Sequence, residues 1–243
     1  MVNPEAKPGG EASQAEAVLL EDLAFSWPGQ AWETLRLPSF TVSQGEQVLV
    51  SGPSGSGKST LLGLIGGLLT PTEGRVFVGG HALNRLSGPR RDAFRGDRIG
   101  FIFQQFNLVP YLSITENVLI PCRLSARRRA GAEERSGSPE KAAASLLERL
   151  DMAPALWNRP VTRISVGQQQ RVAAARALIG GPPLIIADEP TSALDEDHRV
   201  DFLRLLIKEC VEARASLVFV SHDQSLARMF HRQARLSELN TAG

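Results

Sequence analysis

The chain has 243 residues, 42% of them hydrophobic and 22% charged, with a formal net charge of +1. That is long for one domain and short for two, with apolar content enough for a sizeable core. The charge balance exerts no general pull on nucleic acid, so no such partner is expected, and no run approaches the roughly 18 apolar residues of a membrane span.

Residues 1–16, MVNPEAKPGGEASQAE, lack the apolar centre of a signal peptide and read as a disordered tail ahead of one domain over 17–243. AVLLEDLAFSW and TLRLPSFTV alternate like strands, with PGQAWE as the turn between them. QVLVS is a short apolar strand that runs into a glycine-rich turn and then the helix KSTLLGLIGGLL. GRVFVGG and RIGFIF are further strand candidates. SITENVLI opens with a capping box, Ser113 to Glu116. The charged stretch RLSARRRAGAEERSG has little periodicity and reads as a loop or frayed helix, its Arg123, Arg127, Arg128 and Arg129 facing water. SPEKAAASLLERLDM is a helix with Ser138 at the cap and Pro139 at the first helical position. From 164 onward helix and strand alternate: PLIIAD and SLVFVS as strands, EDHRVDFLRLLIKECVEA and DQSLARMF as helices. Strands alternating with helices imply an α/β fold with a mostly parallel sheet, interrupted by a helical insertion over roughly 105–165. Cys122 and Cys210 lie in apolar context and read as reduced core thiols, and His81, His198 and His231 as solvent-facing.

GPSGSGKST, 52–60, matches the phosphate-binding pattern G-x-x-x-x-G-K-[ST] between a strand and a helix. Gly52, Gly55 and Gly57 allow the backbone to curl so that N–H groups, with Ser54 and Thr60 in the same stretch, surround phosphate oxygens. Lys58 can reach the β and γ phosphates, and the Ser59 hydroxyl can ligate magnesium. PLIIADEP ends a strand with two adjacent carboxylates at the edge of the sheet where ligands bind. Asp188 suits a magnesium role, and Glu189 can orient or deprotonate an attacking water. ISVGQQQRVAAARA, 164–177, opens a helix on Ser165 and Gly167, a second N-terminus able to meet an anion.

These motifs, in this order with FIFQQFN, SALD and SHD, resemble the ATP-binding-cassette ATPases over about 17–235. The resemblance implies a P-loop NTPase core of the RecA-like kind, with an antiparallel β subdomain and an inserted helical subdomain. It implies ATP and Mg²⁺ as cofactors and a head-to-tail homodimer in which Ser165, Val166, Gly167, Gln168 and Asp195 touch the ATP held by the other copy. By the same similarity Trp27 stacks on adenine, Gln104 senses magnesium or the attacking water, and His222 bonds the γ-phosphate. Val166 departs from the family's double glycine, and a β-branched residue adopts positive φ only at a cost. IGFIFQQFNLVPYLSITENVLIPCRL is similar to the subgroup of macrolide-export, lipoprotein-release and cell-division cassettes. That implies an integral membrane permease partner with a large extracytoplasmic domain, and a place on the cytoplasmic face of the inner membrane. Phe106, Leu108, Val109 and Tyr111 would then line the groove that receives the permease. A soluble ATPase of the same family and a weakly hydrolysing regulator are the alternatives.

Overall fold

The computed structural model describes residues 16–192 and 195–242, so the expected tail over 1–15 lies outside the described residues, while Glu16 already belongs to a strand. The fold holds two sheets. The first is antiparallel, in the order β2-β1-β4-β5, from β1 (Glu16–Phe25), β2 (Leu35–Ser43), β4 (Glu73–Val78) and the two-residue β5 (His81–Ala82). The second is parallel throughout, in the order β6-β7-β8-β3-β9, from β3 (Gln47–Ser51), β6 (Ile99–Ile102), β7 (Leu184–Asp188), β8 (Ser216–Ser221) and β9 (Arg232–Arg235).

Burial explains the patterning of each sheet. QVLVS and SLVFVS are buried at every position, as strands covered on both faces must be. β2 alternates more nearly, because one of its faces meets water. The register sets Ser51 beside Ser221 and Asp188 beside Val220, so three parallel strands end at one edge. Turns leaving that edge therefore converge, which is where open α/β sheets bind ligands.

Helix α1 (Lys58–Ile65) follows β3 directly and is buried along almost its whole length. Gly57 caps it at φ 94°, and a Cβ there would lie 2.8 Å from Leu35 Cδ2, so only glycine suits the position. Helix α2 (Gly88–Arg98) has no buried residue, which is why hydrophobic periodicity passes over it.

Three helices follow β6: α3 (Ile114–Leu124), α4 (Ala126–Ser136) and α5 (Pro139–Arg149). The expected box forms at Ser113, whose hydroxyl accepts from Glu116 N, and the expected cap forms at Ser138, which accepts from Lys141 N. Of the two readings of 123–137, loop or frayed helix, the structure takes the helical one for most of its length. Ser125 caps α4 by accepting from Arg128 N, and Gly137 ends it in the left-handed conformation. Arg128 does not face water: it is 1% exposed and shares the inward face of α4 with Ala132. Helix α6 (Val166–Leu178) and helix α7 (Glu196–Ala213) lie on either side of β7 in the chain, and the short α8 (Leu236–Leu239) follows β9. The expected final helix at DQSLARMF is a 3₁₀ segment, Gln224–Met229. Both cysteines are free and buried; burial raises the Cys122 thiol and pushes that of Cys210 up to about 12. His81, His198 and His231 are exposed, although His231 Nδ1 accepts from Gln47 N at 3.1 Å.

Candidate nucleotide site

A cleft of about 360 Å³ opens at the shared carboxyl edge. Ser54, Gly55, Gly57, Lys58, Ser59 and Thr60 form one wall; Asp188, Glu189, Gln104, Trp27 and Thr34 complete it. Gln104 lines the cleft and its neighbour Gln105 does not. Gly52 lies behind the loop, its carbonyl accepting from Lys58 Nζ at 3.0 Å while Pro53 O accepts at 2.9 Å. Lys58 is almost fully buried, and its ammonium also stands 3.4 Å from Glu189 Oε1. Trp27 is 40% exposed and meets Phe25 edge-on, ring centroids 5.2 Å apart, so the indole is braced while part of its surface stays open.

The carboxylates differ in setting. Ser59 Oγ donates to Asp188 Oδ1 at 3.3 Å. Burial raises the Asp188 carboxyl above its ordinary value and the adjacent Glu189 adds to that, against the opposing pull of Ser59 and Lys58. Glu189 continues the ladder through its N–H to Val220 O at 3.1 Å but turns out of it at φ 42°. A glutamate held in the left-handed region is strained, and such strain concentrates where a side chain must be aimed. Its Oε2 lies 3.2 Å from His222 Nδ1, so with Glu189 ionised the shared hydrogen sits on Nδ1.

Two fit tests concern the expected ligands. Ser56 Oγ, within the phosphate loop, is buried without a hydrogen-bond partner among the described residues, a hydroxyl in need of an acceptor or donor from elsewhere. A serine hydroxyl, an aspartate and a glutamine amide are all hard oxygen donors, which suit magnesium. Ser56 was not singled out in the sequence, because the loop pattern leaves its position free.

Residues 165–168 and Asp195 do not line this cleft. Ser165 caps α6 with a complete box, Ser165 Oγ accepting from Gln168 N at 3.3 Å and Gln168 Oε1 accepting from Ser165 N at 3.0 Å. Val166 is the first helical residue and is absent from the positive-φ positions, so the expected backbone strain does not arise; its 47% exposed side chain is bulk at the surface instead. Asp195 caps α7, accepting from His198 N and lying 2.6 Å from His198 Nδ1. The flanking residues 193 and 194 lie outside the described set. Phe106 is buried in the core and Tyr111 is exposed, with Leu108 and Val109 between these extremes.

Comparison with known proteins agrees with this geometry. The family model for the ABC transporter matches residues 35–192. The chain belongs to the ABC transporter family. It is 42% identical to an uncharacterized ABC transporter ATP-binding protein, MJ0796, of Methanocaldococcus jannaschii, over 82% of this chain and 83% of that one. It is 40% identical to the lipoprotein-releasing system ATP-binding protein LolD of Pseudomonas syringae, over 79% and 81%. Against the macrolide export ATP-binding/permease protein MacB of Syntrophobacter fumaroxidans identity is 39%, over 84% of this chain but only 28% of that longer one. The dimeric, post-hydrolysis structure of the MJ0796 cassette bound to ADP and Pi superposes with a TM-score of 0.78 at 38% identity, covering 90% of this chain and 93% of that one. These likenesses establish an ABC ATPase cassette with the P-loop NTPase fold.

Proposed function

We propose that the chain is the ATP-hydrolysing subunit of a transporter-type complex, closing head to tail with a second copy around two ATP and driving a separate membrane permease. The observation that carries this reading is the separation of two phosphate-directed features. Lys58, Ser59, Asp188 and Glu189 share one cleft with Trp27, whereas the capped N-terminus of α6 and Asp195 stand outside it. A helix N-terminus with an exposed entrance, in a chain whose own cleft lacks it, suits a phosphate brought by another copy. The dimeric structure of the MJ0796 cassette supports the same assembly.

In this reading Trp27 stacks on the adenine, and the loop N–H groups, with Ser54, Gly55, Gly57 and Thr60, cradle the phosphates. Lys58 leaves its two carbonyls for phosphate oxygens. Ser59, Asp188 and Gln104 would hold magnesium, which offsets charge on the triphosphate. Glu189 takes a proton from the attacking water, its position braced by Lys58 and His222, and His222 bonds the γ-phosphate. Ser165, Val166, Gly167, Gln168 and Asp195 contact the other copy's ATP, so losing the γ-phosphate removes the contact that favours the closed state.

Residues 105–165 act as the helical subdomain that joins this chemistry to the permease, as the relation to LolD and MacB suggests. No helix among the described residues is long and apolar enough to cross a membrane. The relation to LolD and MacB supports a place on the cytoplasmic face, held through a permease with a large extracytoplasmic domain. The test captures a tagged Glu189→Gln chain with ATP from native membranes, with wild-type phosphate release measured in parallel. A stoichiometric multi-span protein and steady phosphate release are expected. A soluble homodimer alone would replace this reading with a soluble ABC ATPase, and absence of turnover with a regulatory cassette.

A further inference from the structure

Segment 236–242 reaches the back of the nucleotide cleft at two points without lining it. Helix α8 is four residues long, and its Leu236 is fully buried. A Cβ on Gly52 would lie 3.6 Å from Leu236 Cβ, so the helix rests against the first glycine of the phosphate loop. Asn240 N then donates to Leu236 O at 2.8 Å, which ends the helix and brings the chain alongside the start of β2.

There one carboxamide answers three backbone groups. Asn240 Oδ1 accepts from Arg36 N at 2.8 Å and from Ala242 N at 3.2 Å, while Nδ2 donates to Thr34 O at 3.1 Å. Thr241 N and Oγ1 both donate to Arg36 O, at 2.8 and 3.1 Å. A side-chain amide offers both acceptor and donor, so it can clasp a strand end as a neighbouring strand would.

The clasped residue belongs to the cleft. Thr34 lines it beside Trp27, and Thr34 O would stand 3.5 Å from a Cβ on Gly57, the cap of α1. Thr34 also closes the turn that carries Trp27: its N donates to Phe25 O at 2.8 Å, and Trp27 O accepts from Gln30 N at 3.0 Å. The indole leans edge-on against Phe25, so the backbone of this turn sets where its open face lies. At its other end the turn is held by Thr72 Oγ1, which accepts from Ser26 N at 3.1 Å.

We infer that Asn240 is a positioning residue for the nucleotide, holding Thr34 and the Trp27 turn at the base and ribose end of the cleft. This rests on the nucleotide reading above. Lys58 is held by Gly52 O and Pro53 O, neither of which Asn240 touches, so the phosphate end keeps its shape without the clasp. The coupling is reciprocal: whatever the clasp adds to ATP affinity, bound ATP returns to the clasp.

The test titrates the wild-type chain and Asn240→Ala with ATP and with inorganic triphosphate, which has neither base nor ribose. ATP affinity is expected to fall about five- to ten-fold, as loss of one or two hydrogen bonds allows, with triphosphate affinity and turnover at saturating ATP changed by under about two-fold. Unchanged ATP affinity overturns the inference, and so does equal loss for both ligands, the mark of a general folding defect. Amide exchange of the wild-type chain, read by NMR, needs no variant. A saturating nonhydrolysable ATP analogue is expected to slow exchange of the Arg36 and Thr241 N–H groups by about five-fold or more, and unchanged exchange at both overturns the inference while the nucleotide reading stands. A wild-type chain that binds neither ATP nor triphosphate overturns both.

Discussion

The nucleotide cleft and the groove where Arg128 of α4 meets the end of α6 both bury a cation, and they treat it in opposite ways. In the cleft Lys58 meets two carbonyls and the Glu189 carboxylate, Asp188 meets Ser59, and Glu189 meets His222. In the groove Arg128 bonds Ala177 O and feels the charge of Asp97, yet keeps two buried nitrogens without a hydrogen-bond partner among the described residues. A site whose charges answer one another at close range holds its shape before a ligand arrives, which suits repeated chemistry on a small molecule. A buried cation with few partners spends its bonds on holding one helix against the end of another.

The sharpest way to break this contrast lies in the cleft. Glu189→Gln should lower steady-state phosphate release by about 10²–10⁴-fold, the range for a positioned general base. Turnover within a few-fold of wild type would remove Glu189 from that role. Lys58→Ala should weaken nucleotide binding by roughly one to two powers of ten in equilibrium titration, as loss of charge-assisted bonds does; unchanged affinity would mean the loop does not carry the triphosphate.

The groove depends on a different kind of contact. Gly131 of α4 packs so closely that an added Cβ would lie 2.4 Å from Gly180 O. Gly131→Ala should therefore cost about 1–3 kcal/mol in denaturant unfolding; a neutral result would mean that α4 is not fixed against the turn after α6. The smallest effect is the pH dependence of Asp188. Its carboxyl is raised in the folded chain, so protonation favours that state and its unfavourable contribution to stability fades as pH falls through the raised value. Asp188→Asn should thus slightly raise the neutral-pH melting temperature of the nucleotide-free chain. In the wild type, magnesium-dependent nucleotide affinity should fall at a pH above the ordinary carboxylate range. An affinity flat down to that range would refute the shift.

Much of the cleft was legible because its residues are local in sequence. The stretches 52–60 and 183–190 each pack a strand end, a turn and cleft-lining side chains into one segment, so spacing alone identifies them. Ser113, Ser138 and Ser165 announced their helices for the same reason. Helix α4 did not, because its inward face holds an arginine and an alanine, and periodicity counts arginine as exposed. Val166 misled in another way: the family comparison placed strain in its backbone, whereas a first-turn helical position accepts valine and leaves the bulk outside.

By itself the sequence determined the family, the order of strands and helices on either side of the cleft, and the two segments that line it, since each depends on contacts within a few positions. The tertiary structure alone decided that Glu189 stands between Lys58 and His222. It also decided that Arg128 is buried beside the end of a helix 48 residues away. Those outcomes depend on which parallel strands are neighbours and how closely backbones approach, and no local pattern encodes either.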